Sequence, residues 1–405
     1  MTEILDVDLT DPQLYTAGFP HEVFTELRRR GPVHRHLAVE GRPSIPSIPF
    51  WSIVTHHEIQ QVNRDWKTFE AAGGPMMAAD PLLSAGRTLV SMDPPDQAEM
   101  RRIITSEFTP RMIGRLEQRI AARTADILAA AAGDTCDFVR DIAYQVPMHL
   151  IADIVGIPET DRPWVFERVD HLLKSGNPYN GYSDEDRLGF QVELFEYAQR
   201  LTADKRANPT DDVWTKLAGQ LDGFELEMFF LILAIAGSET TRNALAQGLI
   251  ALLDDPAQLD ELRTSPDLCA TAADEAIRWS SPVIFFGRTA TVDVTIGDAN
   301  VKAGDRVLLW YPSGNRDESV FDDPFRFDVH RFPNPHVSFG GGGVHYCLGA
   351  NLARKEVQVV FGAIAAGYDV ELAGPPVWSG GGPVHNVGIG IDSLPIRITP
   401  RRATG

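Results

Sequence analysis

The chain has 405 residues, 43% of them hydrophobic, with 56 acidic against 37 basic side chains and a net charge of -19. No Ser/Gly-rich or charge-rich linker divides it, which predicts a single domain over 1–405 with a sizeable core, and so acidic a balance excludes nucleic acid as a partner, because phosphate binding needs Lys/Arg clusters. Three distant cysteines, an acidic N-terminus without an apolar signal core and the absence of a charge-free apolar window of membrane length predict a monomeric cytoplasmic protein with no disulfide framework and no transmembrane anchor.

Taken in chain order, Pro43, Pro46 and Pro49 prevent regular helix and lead into an extended segment over 50–55. Helical spacing with charged faces then predicts helices over 111–132, 147–155, 187–206, 226–253 and 269–279, with breaks at Pro158 and Pro209. The helix over 226–253 is apolar at its centre yet carries Glu239, Thr240, Thr241 and Arg242, so it reads as crossing the protein interior rather than a membrane. Alternating stretches over 285–294 and 306–311 predict a small sheet. The expected fold class is mainly α with minor β.

Three groups of residues point to chemistry. Cys347 lies between the glycines 340–343 and a helix start placed at Leu348. Glycines let backbone N–H groups approach the sulfur, and a helix N-terminus favours an anion, so both effects predict a lowered thiol pKa suited to metal binding. An ordinary buried cysteine in a glycine loop is the alternative. In the interior helix the Thr240 hydroxyl is expected to return to the Ala236 carbonyl, and beside Gly237 this would open a bulge or bend. Glu275 and Arg278 share a helix face. The same spacing recurs at Glu26/Arg29, Glu99/Arg102, Glu159/Arg162 and Glu239/Arg242. By itself it is therefore unspecific.

Phe339, the glycine run, His345, Cys347 and Gly349 together resemble the haem-ligand loop of the cytochrome P-450 superfamily, the haem-thiolate monooxygenases. Here one extra residue separates Phe339 from Cys347, which predicts a slight bulge. The Gly237-Ser238-Glu239-Thr240-Thr241 run resembles the family's oxygen-activation motif, and Glu275, Arg278 and Arg331 fall in the order of its Glu-Arg-Arg network. The resemblance implies a P-450 fold with haem b held between the Thr240 helix and the Cys347 loop. Cys347 would be the iron ligand, Glu239 and Thr240 would manage protons, and Glu275, Arg278 and Arg331 would form a structural network. Phe339, Gly349, Gln97, Arg101, Arg288 and His345 would contact the cofactor, Gln97 standing where relatives commonly have histidine.

By position in that fold, Met76, Met77, Leu82, Leu83, Phe229, Leu233, Ala236, Val283, Ile284 and Val387 would line an apolar substrate pocket. The neighbourhood resembles actinobacterial hydroxylases of sterols and branched lipids. That implies a hydrophobic substrate (sterol, branched lipid or terpenoid), O2, and electrons from a ferredoxin and its NAD(P)H-dependent reductase. Arg101, Arg102, Arg111, Arg354 and Lys355 would offer the ferredoxin a basic dock. The alternatives are a non-enzymatic haem-binding sensor or carrier and a peroxide-driven hydroxylase, which would not need the Glu239/Thr240 pair.

Overall fold

A computed structural model of the chain describes residues 7–37, 49–77, 88–107, 110–175, 180–221, 223–380 and 388–401. Leu82, Leu83 and Val387 lie outside the described residues, as does the side chain of Arg111. The described residues form thirteen α-helices and twelve short strands. The mainly helical expectation holds, with element ends displaced by a few residues.

The organising element is the helix Gly223–Asp254, 32 residues long. At 1.5 Å per residue it runs about 48 Å. It is apolar around most of its circumference because other helices cover it: Gln145–Val155, Asp184–Ala207, Leu268–Ser280 and Ala350–Gly367 all pack on it. Two of these approach very closely at Gly248, where a Cβ would lie 2.7 Å from the Phe361 ring and 2.8 Å from the Ala276 methyl. No described helix is long and apolar enough to cross a membrane.

Local chemistry sets the ends of the flanking helices. Ser183 starts Asp184–Ala207 with a reciprocal box: its Oγ accepts from the Asp186 N–H at 3.1 Å, and Asp186 Oδ2 accepts from the Ser183 N–H at 2.8 Å. Gln145–Val155 ends at Gly156, whose φ of 71° is left-handed.

Strands from distant parts of the sequence build the larger sheet. Its spatial order is Val33–His36, Phe50–Ile53, Arg306–Trp310, Phe285–Ala290 and Phe69–Glu70, and the one parallel pair is Phe50–Ile53 with Arg306–Trp310. The expected 285–294 strand is in fact two, since Phe285–Ala290 ends before a turn and Val294–Ile296 pairs separately with Ala299–Val301. A three-stranded sheet joins Thr135–Asp137, Pro395–Pro400 and Tyr368–Leu372. These strands are short and lack clean alternation, so periodicity does not reveal them.

Candidate functional site

The loop before Ala350–Gly367 is shaped by its glycines. Gly340, Gly341, Gly342 and Gly343 have φ values of 94°, 65°, 115° and 80°, a left-handed run that costs any L side chain strain at each step. At Gly343 a Cβ would also collide with the carbonyl of Asn63, at the end of the helix His56–Arg64. The Gly340 N–H donates to Val337 O at 2.8 Å, and the Cys347 N–H donates to Phe339 O at 3.0 Å, closing the loop. The extra residue is thus absorbed within the closed turn. The following helix begins at Ala350, with Gly349 as its cap, two residues later than the sequence suggests.

Cys347 is exposed to solvent, and the surrounding protein still desolvates its thiol. Here the expectation of an intrinsically acidic thiol is corrected. Burial pushes the Cys347 thiol up, while a hydrogen bond from the Gly349 N–H and the Arg101 and Arg354 charges pull it down. Loop geometry alone therefore does not produce the thiolate; a bound metal cation would supply the missing stabilisation.

Two cations near the cysteine lack the partner that buried guanidiniums normally have. Arg288, on Phe285–Ala290, is 2% exposed and, among the described residues, donates to Gly287 O at 2.8 Å and Asn63 Oδ1 at 3.4 Å. Burial lowers its pKa. Neither Arg288 nor Arg101 pairs with a carboxylate among the described residues. Both act electrostatically on His345, and Arg101 on Cys347, so the four share one neighbourhood. An exposed cysteine in one neighbourhood with two guanidiniums that pair with no described carboxylate fits a metal-bearing group with carboxylates at its edge, and haem is such a group.

His345 and Gln97, both expected to contact the cofactor, each also meet a protein partner. Burial pushes the His345 pKa down, against the opposing pull of Asp93, whose Oδ1 lies 3.4 Å from its Nε2. Gln97 is buried and its Nε2 donates to Val344 O at 2.8 Å, three residues before the cysteine. It braces the loop. Phe339 packs beside His336 and Tyr346, with the Arg354 guanidinium 4.6 Å above its ring.

Along the central helix an accessible stripe interrupts the buried surface. Ala236 is exposed, and Leu233, Gly237, Glu239 and Thr240 are half-buried, although residues 241–246 are all buried. The Thr240 hydroxyl donates to Ala236 O at 2.8 Å, and the helix nevertheless runs on without a bulge. Glu239 Oε1 is 3.8 Å from Arg242 Nη2. The adjacent Thr241 hydroxyl bonds Glu356, on the helix that follows Cys347, and so ties the stripe's helix to the cysteine's.

The proposed pocket residues differ in their surroundings. Met77 is 5% exposed and packs in a core with Tyr15, Phe24 and Phe50. Phe229 stacks on Trp214 at 6.3 Å and 12° between the planes. Ile284 is buried against Phe285, Trp310 and Ile389. Met76 is half-buried, and its carbonyl accepts from Arg306. Leu233, Ala236 and half-buried Val283, which bridges to Gly388, remain as candidates. The proposed basic dock is also smaller, since Arg354 pairs with Asp274 at 2.6 Å and Lys355 with Glu117 at 3.5 Å, while Arg102 stays exposed.

Behind the loop, Glu275 and Arg278 are fully buried and joined by two bonds of 2.7 Å. Arg331 Nε lies 3.1 Å from Glu275 Oε2, and the Asp328 N–H and Asn334 amide also donate to the carboxylate. Arg278 reaches Asn315 O at 2.8 Å, and the Asn315 side chain in turn accepts from the Val337 N–H at 2.7 Å and donates to Ser338. The network thereby fixes the segment that enters the cysteine loop. Sequence reasoning missed Asn63, Asp93 and Glu356, none of which sits in a pattern that separates it from a surface residue.

Comparison with known proteins agrees with this geometry. The profile described as "Cytochrome P450" matches residues 268–378. The chain is 39% identical to a putative cytochrome P450 126 of Mycobacterium tuberculosis, over 92% of this chain and 94% of that one. It is 37% identical to a steroid C26-monooxygenase of Mycolicibacterium smegmatis, covering 89% and 87%. A Mycobacterium marinum cytochrome P450 solved in complex with pseudoionone superposes with a TM-score of 0.88 at 34% identity, covering 98% and 99%. Identity at this level across nine-tenths of the sequence, with the whole fold shared, establishes that the chain belongs to the cytochrome P450 family of haem-thiolate monooxygenases.

Proposed function

We propose that this monooxygenase hydroxylates a hydrophobic substrate of the steroid, branched-lipid or terpenoid class, with Cys347 as the iron ligand and a ferredoxin with its NAD(P)H-dependent reductase as the electron source. When bound, the haem supplies the oxidation, in which one atom of O2 enters a C–H bond. The chain's own residues do the rest. Cys347 must give up its proton to coordinate; Gly349 and the Arg101 and Arg354 charges favour that loss. Arg101 and Arg288 offer their unneutralised guanidiniums to the cofactor's carboxylates, a charge-assisted contact that also relieves the burial of Arg288.

Thr240 and Glu239 handle protons on the accessible stripe. The Thr240 hydroxyl donates to Ala236 O, which leaves its oxygen lone pairs as acceptors, and rotation about the Cβ–Oγ1 bond turns the proton outward. Glu239, 3.8 Å from Arg242, can take and return a proton at its carboxylate. Leu233, Ala236 and Val283 present only carbon to a substrate. This apolar lining, together with the steroid named for one relative and the pseudoionone bound to another, supports the substrate class.

The observation that carries the assignment is the exposed Cys347 following four left-handed glycines, in one neighbourhood with two guanidiniums that pair with no described carboxylate. In the reduced carbon monoxide complex, Cys347→Ala is expected to lose the thiolate-type spectrum; an unchanged spectrum refutes the ligand assignment. A spectral-shift screen of steroids, branched fatty acids, terpenoids and small aromatics tests the substrate class, and a response confined to the small aromatics overturns it.

A further inference from the structure

A group of charged side chains gathers around Arg242, in the helix that carries Glu239 and Thr240. Arg242 is 5% exposed; its Nη2 lies 3.8 Å from Glu239 Oε1, long for an ion pair, and its buried Nε–H has no partner among the described residues. A guanidinium so deeply placed is ordinarily neutralised at closer range. The same charge also acts on Asp392, a half-buried carboxylate in the short strand Ile391–Ser393. Arg242 therefore serves two acids.

The chain leading to Asp392 lies along the Glu239 side of the helix. A Cβ at Gly388 would sit 3.4 Å from Glu239 Oε1, and one at Gly390 would collide with the Asn243 amide, so the approach at Gly390 requires glycine. Asn243 Oδ1 accepts from the Ile391 N–H at 3.4 Å, and Gln247 Nε2 donates to Ile389 O at 3.5 Å. Residues 239, 243 and 247 follow one another about one turn apart, and 388–391 run beside them. Pairing with the strand Val377–Trp378 then skips a residue: Trp378 faces Ile391 and Val377 faces Ser393, which leaves Asp392 as the unpaired residue of a bulge. Bulges re-aim the side chain they carry.

Charges from the surrounding elements weigh on Asp392. Burial raises its pKa, Arg242 and Lys174 oppose this, and Asp170 and Asp137 reinforce it. Most of these groups are already engaged. Lys174 pairs with Asp170 at 2.6 Å, both on the helix Arg162–Ser175, and Asp137 accepts from the Val139 and Leu394 N–H groups at 3.0 and 3.1 Å. In the π-helical turn Val139–Ala143, which packs on both the strand and the long helix, Arg140 holds Asp141 at 2.7 Å. Arg242 is the remaining cation of the group, and Asp392 and Glu239 compete for it. While Asp392 is ionised it draws on the Arg242 charge and Glu239 is held less firmly; once Asp392 is protonated, the guanidinium is left to Glu239.

We propose that Asp392 is a positioning residue for Glu239, acting through Arg242 to set how readily that carboxylate takes up and releases its proton. The proposal rests on the proton-handling role given to Glu239, and two measurements on the haem-loaded protein distinguish them. The first is infrared titration of the carbon monoxide complex, following the protonated-carboxyl band that Glu239→Gln removes. In Asp392→Asn this band should require about fivefold higher proton concentration, because loss of the competing negative charge leaves Arg242 to Glu239, and Asp392→Glu should restore the wild-type titration. The second is NADPH-driven oxygen uptake through a plant ferredoxin and its reductase. Glu239→Gln should slow it, Asp392→Asn should slow it by the same factor as the band moves and enlarge its solvent deuterium effect, and Asp392→Glu should stay near the wild type. A band that titrates alike in the wild type and Asp392→Asn, or Asp392→Glu behaving as Asp392→Asn does, overturns the proposal. Uptake slowed by Glu239→Gln but not by Asp392→Asn overturns it while leaving the role of Glu239 intact, and uptake indifferent to Glu239→Gln removes that role and the proposal with it.

Discussion

Glu356 offers a quantitative test of how this interior treats charge. It is 4% exposed on the helix after Cys347; the Thr241 hydroxyl reaches it, but its Oε1 has no hydrogen-bond partner. Burial raises its pKa from 4.5 to about 8, against the opposing Thr241 bond. The folded state therefore keeps a proton that the unfolded chain releases above pH 4.5, so stability is greatest in acid and falls as pH rises towards 8. With each pKa unit equivalent to about 1.4 kcal/mol, the penalty is about 1 kcal/mol at pH 5 and about 4 kcal/mol at pH 8. Glu356→Gln carries no charge at either pH. Urea unfolding of both haem-loaded proteins across this range should show the wild type losing about 3 kcal/mol relative to the variant. The infrared band of a protonated carboxyl at pH 7 should also vanish in the variant. Parallel pH profiles, or no such band in the wild type, would refute the buried neutral acid.

Further substitutions probe the site's supports. Glu275→Gln leaves two buried guanidiniums without their counter-charge and should cost about 3–5 kcal/mol, read as a lowered unfolding midpoint. Gly343→Ala meets both a left-handed φ and the Asn63 carbonyl, so a loss of about 2 kcal/mol or more is expected, with reduced haem content on purification. Arg288→Gln should act in opposite directions on two readouts: the haem-free chain gains stability from removal of an unpaired buried charge, while haem is released faster to apomyoglobin. Faster release with no gain in the haem-free chain would mean that Arg288 already has an adequate partner.

The long apolar helix and the glycine-flanked cysteine could be read from the sequence because each depends on local composition. Apolar side chains around the whole helix require cover on every side, and only glycine adopts four left-handed turns in succession. The identity of Glu275 as a network member was legible only through its order relative to Arg331, since five Glu-x-x-Arg pairs look alike until burial is known. The burial of Met77 and the stacking of Phe229 on Trp214 could not be read in advance, because hydrophobicity does not say which side of an element faces a recess and which faces the core. The thiol pKa was misjudged for a related reason: the glycine loop and cap are local, whereas the desolvation that outweighs them is imposed by the surrounding fold. Asn63 supports the loop with a backbone carbonyl and Arg288 with its amide, and neither use leaves a trace in its neighbours in sequence.

The parallel pairing of Phe50–Ile53 with Arg306–Trp310 has a consequence for the order of assembly. The Trp310 indole donates to Ser52 across 258 residues of chain, and the Asn63 that abuts Gly343 belongs to the same early segment. Contacts of such separation form late, because the intervening loop must be closed before they repay its entropy. On the ribosome the helices around Gly223–Asp254 can gather while the early strand still waits for its neighbour. The wall that shapes the cysteine turn is completed only when nearly the whole chain has emerged, so cofactor capture belongs to the end of synthesis, and a nascent chain truncated before Arg306 has no turn to offer it.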